Sequence, residues 1–303
     1  VVHSLSPYPT ATRFQPSYGA RLRTSAELTK IRIVLLSSFS AAAGYLAFSR
    51  RLEIGVLAAS LGTFFCAAGA SLLNHYQDRD LDARMARTRN RPIPAGFVRP
   101  VTALAAGLIL AAAGLGWLWM WAGATSAWIA LGAVAWYNLL YAYLKRVWAF
   151  AAVPGAVVGA LPPVIGWTAA GGSPWSPRIL QLALFFFLWQ VPHFWLLMFR
   201  HGQEYAQAGL PSISTIFPSC QLRRVTGAWI LATGAGAIIL PLFLPAFSPW
   251  IVAGLTLSGC WMVWEACRIV RPDAAAASYR NLFFKLNCFA LAIIGLIAVN
   301  ALL

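Results

Sequence analysis

Residues 54–82 read IGVLAASLGTFFCAAGASLLNHYQDRDLD, and the change of character inside this stretch decides the fold. Residues 54–75 carry no charged side chain, and an apolar run of about 20 residues is what a helix needs to cross a bilayer. The seven residues that follow hold Asp78, Asp80 and Asp82, three of only eight acidic residues in the chain. An uncharged run that stops abruptly at a cluster of charge marks a membrane crossing and its polar end.

Runs of the same kind recur near residues 31–49, 101–121, 124–143, 149–170, 178–199, 225–245, 249–270 and 283–302. The expected fold is an all-α, polytopic membrane bundle of about nine transmembrane helices. The separations at Trp121–Ala124 and Phe247–Trp250 are the shortest, so eight or ten crossings are the neighbouring counts. Composition agrees: 60% of the 303 residues are hydrophobic and 10% are charged, against roughly 25% charged in soluble proteins. Lipid must be the solvent for most of this surface. Residues 1–29 contain Pro, Ser, Thr and Arg without the apolar core of a signal peptide, and read as a cytoplasmic tail. Residues 30–303 read as one membrane domain. The five cysteines are scattered without a CxxC pair and suggest neither a disulfide framework nor a zinc site.

The net charge of +15 is not a nucleic-acid footprint, because the basic residues lie between the apolar runs. With the N-terminus inside, 20 of the 23 lysines and arginines fall on cytoplasmic segments, leaving Arg50, Arg51 and Arg178 outside. Both longer loops, 76–100 and 200–224, are then cytoplasmic. A bacterial inner membrane suits this arrangement. Trp117, Trp119, Trp121, Trp175 and Trp250 fall at span ends and read as interfacial anchors.

On a continuing helix, Asn74, Asp78 and Asp82 stand at i, i+4 and i+8 on one face, and Asp80 points away. Two readings stand side by side. Hard oxygen ligands at this spacing suit Mg²⁺, which takes one or two carboxylates plus substrate phosphate oxygens; a solvated helix end paired with arginines is the alternative. Arg84, Arg87, Arg89 and Arg91 follow at once. Each alone serves as a membrane anchor, whereas carboxylates alternating with guanidinium groups suit a metal–diphosphate site. Glu265 reads as a structural partner of Arg268, three residues on.

The stretch Asn74–Gly96, with Asp80-Leu-Asp82, Met85, Arg87-Thr88 and Arg91-Pro92, resembles the first Asp-rich motif of the UbiA superfamily of intramembrane prenyltransferases. Its nearest branch is the haem-prenylating one, the haem O synthases. Tyr141-x2-Leu144-Lys145-Arg146, Gly159-Ala-Leu-Pro162-Pro163-Val-Ile-Gly166-Trp167, Pro192-His193-Phe194-Trp195 and Glu204-Tyr205-x2-Ala208-Gly209-x-Pro211 agree with it. After Pro211 the chain reads Ser-Ile-Ser-Thr where that branch has an apolar run, and the second loop holds the single acid Glu204 in place of an Asp-x3-Asp motif.

What the resemblance implies is Mg²⁺-dependent transfer of a farnesyl group from farnesyl diphosphate to a vinyl group of haem b. A quinone precursor or another polycyclic acceptor is the alternative substrate. A transporter is an alternative class, disfavoured because the acids sit at a helix end and not at the midplane. A non-catalytic assembly protein is another, set against only by an inert scaffold having no need to crowd Asp and Arg in one loop. The resemblance gives Asn74, Asp78, Asp82 and Glu204 as metal ligands, with Asp78, Asp82 and Lys145 central to catalysis. It gives Arg87, Arg91, Lys145 and Arg146 as diphosphate ligands. Lys145 and Arg146 otherwise read as snorkelling anchors. His193, inside the sixth apolar run, is the candidate haem ligand or else a histidine bonded within the bundle. The implied partners are the lipid bilayer and a haem A synthase or terminal-oxidase assembly pathway that accepts the product.

Overall fold

The structure is a computed structural model that describes residues 18–244, 247–271 and 277–303. The tail expected over 1–29 lies outside the described residues up to residue 17; its remainder is helical. The helices are α1 (Tyr18–Leu28), α2 (Ile31–Ser49), α3 (Ile54–Arg84), α4 (Pro100–Trp121), α5 (Ala124–Ala135), α6 (Ala142–Val147) and α7 (Ala152–Gly155). They continue with α8 (Val157–Ala169), α9 (Pro177–Gln207), α10 (Ile213–Ile216), α11 (Ser219–Phe243), α12 (Pro249–Val270) and α13 (Ala277–Leu302). A π-helical turn, Trp136–Tyr141, joins α5 to α6.

Among the described residues nine segments are long and apolar enough to cross a membrane, and they fall on the nine expected runs. The chain is an integral, multi-pass membrane protein. Consecutive spans pack side by side, and α13 returns against α2, so the bundle closes into a ring in which α8 also packs on α2 and α9 on α13. Its largest apolar core lies between α9, α11, α12 and α13, around Phe185, Ile230, Leu255, Leu286 and Phe289.

Helices approach most closely where side chains vanish. A Cβ on Gly166 of α8 would stand 1.7 Å from the Ala41 carbonyl oxygen of α2. One on Gly44 would stand 2.0 Å from that of Pro163. With no hydrophobic drive between helices in lipid, this backbone-level packing supplies the attraction. Trp119, Trp121, Trp175 and Trp250 are exposed at span ends, as interfacial anchors are. Trp117 differs: its indole donates to the Ala58 carbonyl (3.0 Å), tying α4 to α3.

Two helices outrun their apolar segments. The helix α3 continues to Arg84 and α9 to Gln207, so part of each expected loop is helix. Beyond the hydrocarbon a helix needs no apolar face to persist, only partners for its polar side chains. These extensions carry the site.

Candidate active site

The continuation of α3 places Asn74, Asp78 and Asp82 on one face, and all three are buried. Asp80 points outward, is 67% exposed, and pairs with Arg79 at 3.5 Å. Past Met85 the chain folds compactly: Thr88 Oγ1 donates to the Asp82 carbonyl (2.9 Å), and the amides of Arg91, Ala95, Gly96 and Val98 donate back to earlier carbonyls. That loop holds Arg91 over Asp82, where one guanidinium nitrogen straddles both carboxylate oxygens at 2.8 Å each.

Asp78 is held from another direction. Asn74 Nδ2 donates to its Oδ2 at 2.9 Å, and Lys145 Nζ donates to the same oxygen. Arg146 reaches Oδ1 at 3.3 Å and the Gln77 carbonyl at 2.6 Å. Both cations sit at the end of α6, and the wider π turn before it is fixed to α3 by Gln77 Nε2 donating to the Asn138 carbonyl (2.8 Å). π turns recur at functional sites because they re-aim the side chains that follow.

Lys30, counted in the sequence only as an anchoring charge, belongs to this cluster. It sits between α1 and α2 with φ 51°, a left-handed conformation that costs an L-residue about 1 kcal/mol. The turn is pinned by Ser71 Oγ donating to the Leu28 carbonyl (2.9 Å). Lys30 Nζ then donates to Asn74 Oδ1 at 2.8 Å and to the Tyr137 hydroxyl at 3.3 Å. Its stem is partly accessible, but its ammonium is enclosed. Burial, and next the Arg91 guanidinium, draw its pKa from 10.5 down to about 8, against the opposing pull of Asp78 and Asp82.

Four cations, Lys30, Arg91, Lys145 and Arg146, therefore converge on two carboxylates and one amide. Such an excess of positive charge serves a polyanion that displaces some of these pairings. A ladder of rings runs inward from it: Tyr137 stacks on Tyr141 at 5.6 Å and Tyr141 on Phe194 of α9 at 6.1 Å, both within 20° of parallel.

The remaining expected residues lie apart from the carboxylates. Arg87 is exposed and reaches Tyr205 of α9 at 3.3 Å, bridging the two polar segments. Glu204, its neighbour on α9, is partly buried with Oε2 lacking a partner. Among the described residues no three His, Cys, Asp or Glu side chains gather as a metal cluster, so Glu204 is not drawn up to Asp78 and Asp82. His193 stands on the α13 side of α9 among Trp189, Phe194 and Phe283, with ring centroids 4.8–5.8 Å away, and its Nδ1 has no partner. His75 is buried beside Asn74, near the Glu27 backbone.

Residues 34–289 match the family described as the UbiA prenyltransferase family. The chain is 41% identical over 278 residues to protoheme IX farnesyltransferase of Geobacter sulfurreducens, covering 89% of this chain and 98% of that one. It is 36% identical over 270 residues to protoheme IX farnesyltransferase 1 of Pseudomonas putida, covering 86% and 89%. Among solved structures, that of digeranylgeranylglyceryl phosphate synthase superposes with a TM-score of 0.75 at 16% identity, over 93% of this chain and 99% of that one. A UbiA homolog from Archaeoglobus fulgidus bound to GPP and Mg²⁺ superposes at 0.61 with 14% identity, over 91% and 99%. These two share the fold. By family match and by coverage of its sequence relatives, this chain belongs to the UbiA prenyltransferase family.

Proposed function

We propose that this enzyme transfers the farnesyl group of farnesyl diphosphate to a vinyl group of haem b, forming haem O. The 41% identity to a protoheme IX farnesyltransferase, spanning nearly the whole of both chains, carries this reading. The Asn74, Asp78 and Asp82 face, ringed by Lys30, Arg91, Lys145 and Arg146, supports it.

The donor set fits Mg²⁺, which takes few carboxylates and completes its octahedron with phosphate oxygens and water. Asn74, Asp78 and Asp82 would hold it; Glu204, which stands apart from them with a buried Oε2 lacking a partner among the described residues, would be a donor only to a second ion. When bound, the ion neutralises charge on the diphosphate and improves it as a leaving group. Arg91, Lys145, Arg146 and Lys30 bind the diphosphate oxygens, with Arg87 at the rim. Their hydrogen bonds strengthen as the allylic C–O bond breaks and its electron pair leaves with the diphosphate. The Tyr137, Tyr141 and Phe194 faces line the path of the allylic cation, where an aromatic face stabilises positive charge. The vinyl π electrons close the C–C bond, and water adds to the resulting cation with loss of a proton. Before that step the apolar walls keep water away.

His193 is the proposed axial ligand to haem iron through its unpartnered Nδ1. The Asp-rich face and the N-terminus are proposed to be cytoplasmic in a bacterial inner membrane, from the distribution of lysines and arginines. A haem A synthase or an oxidase assembly pathway would take the product.

Incubation of the detergent-purified protein with haem b, farnesyl diphosphate and Mg²⁺ tests the reading by mass analysis of the haem. A haem heavier by a farnesyl group plus a hydroxyl, absent when the metal is chelated, is expected. Unmodified haem alongside a prenylated quinone precursor would overturn the acceptor.

A further inference from the structure

The face opposite the aspartates is poor in charge, yet two of its three basic residues, Arg50 and Arg178, line one cavity of about 100 Å³. It lies where α2, α8, α9 and α13 meet. Phe48, Trp167 and Ile297 form its walls, and Asn300 adds a polar group. Trp167 is fixed by donating to the Ser173 carbonyl (3.1 Å) and by edge-on contact with Phe48, at 5.0 Å between centroids.

Both arginines stand where their residue type is disfavoured. Arg50 caps the C-terminus of α2 with φ 53°, a conformation that glycine adopts without strain. Arg178 is the second residue of α9, where the positive end of the helix dipole repels a cation. It has no carboxylate at ion-pairing distance among the described residues. A phosphate between the two offsets the repulsion at Arg178 and engages the Arg50 guanidinium, because guanidinium groups bind phosphate oxygens bidentately and a helix N-terminus attracts anions.

We propose that this cavity binds an anionic phospholipid. Its phosphate lies between Arg50 and Arg178, Asn300 meets a headgroup hydroxyl, and an acyl chain runs along the Phe48, Trp167 and Ile297 walls. A lipid seated there ties α2 to α9 and α13, at the seam where the first and last spans close the ring. It is not an extension of the prenyl site: α3, with 31 residues, runs about 46 Å between the two ends. The proposal is independent of the reaction assigned above.

Thermal unfolding of delipidated protein in neutral detergent tests it, with phosphatidylglycerol, phosphatidylcholine or inorganic phosphate added. Phosphatidylglycerol at about a hundred times its dissociation constant is expected to raise the midpoint by about 3–5 °C. Phosphatidylcholine and phosphate should leave it within about 1 °C. The double variant Arg50→Gly, Arg178→Gln should lose the shift, and glycine at 50 accepts the left-handed backbone. An equal shift with phosphatidylcholine, with phosphate, or in the double variant would overturn the proposal. Native mass spectrometry of the wild type needs no variant. At least fivefold greater retention of phosphatidylglycerol over phosphatidylcholine is expected, and equal retention would also overturn it.

Discussion

Among the described residues two places bury an acid beside cations, and only one has the makings of a reaction site. On α12, Glu265 is 4% exposed and meets Lys285 of α13 at 2.5 Å and Arg268 at 3.4 Å. The pairing with Arg268 expected from the sequence is present, with Lys285 as the shorter contact. All of it lies on two adjacent helices, with both cations on the same Glu265 oxygen, so it staples α12 to α13. At the end of α3, Asp78 and Asp82 are held by cations from three separate segments: α6, the loop after α3, and the α1–α2 turn through Asn74. Burial of a carboxylate is common to both places. Convergence of excess positive charge from distant parts of the chain is not, and it is the second property that marks a place for a polyanion.

The largest effect expected from this contrast is in turnover. Asp78→Asn or Asp82→Asn should each cost on the order of 10³-fold in kcat, with the folded protein retained by size-exclusion chromatography. Glu265→Gln should stay within about threefold of wild-type kcat. It should instead lose about 1–2 kcal/mol of stability, because the cations it abandons are 32% and 47% exposed and regain water. Similar kcat losses at all three positions would erase the distinction.

Next in size is Lys145→Gln, for which a loss of about 10²-fold in kcat/KM for farnesyl diphosphate is expected. Arg146, 41% exposed, should cost less when replaced in the same way.

A smaller effect, with a defined sign, follows from Lys30. Its ammonium is charged below about 8 and neutral above, so diphosphate affinity should weaken, about tenfold at most, as pH rises from 7 to 9. Lys30→Arg should flatten that dependence. Stability moves the other way. The folded value lies below the unfolded 10.5, so the unfolded chain holds more protons between about 8 and 10.5, and the contribution of Lys30 rises with pH there.

The mildest test concerns His193→Ala, which should shift the absorption spectrum of bound haem and weaken haem more than farnesyl diphosphate. An unchanged spectrum would leave His193 as packing for Phe283.

The fold was legible because lipid imposes a length: each apolar run of about 20 residues became a crossing. The shared face of Asn74, Asp78 and Asp82 was legible from helical periodicity alone. Lys30 was not, since nothing local says that a left-handed turn will carry it to a residue 44 positions away. The π turn at Trp136–Tyr141 left no signal either, because its residues are ordinary helix and membrane formers. Nor was the extension of α9 to Gln207, as apolar periodicity stops at the bilayer and the helix does not. What escaped the sequence was long-range convergence, the same property that separates the α3 cluster from the Glu265 staple.

Titration of farnesyl diphosphate into the detergent-purified protein, with Mg²⁺ or with chelator, tests the assignment of the α3 cluster most directly when wild type, the double variant Asp78→Asn, Asp82→Asn and Glu265→Gln are compared. Binding that requires Mg²⁺ in wild type and Glu265→Gln, and that is lost in the double variant, is the expected result. Metal-independent binding of unchanged affinity in the double variant would place the diphosphate elsewhere and contradict it.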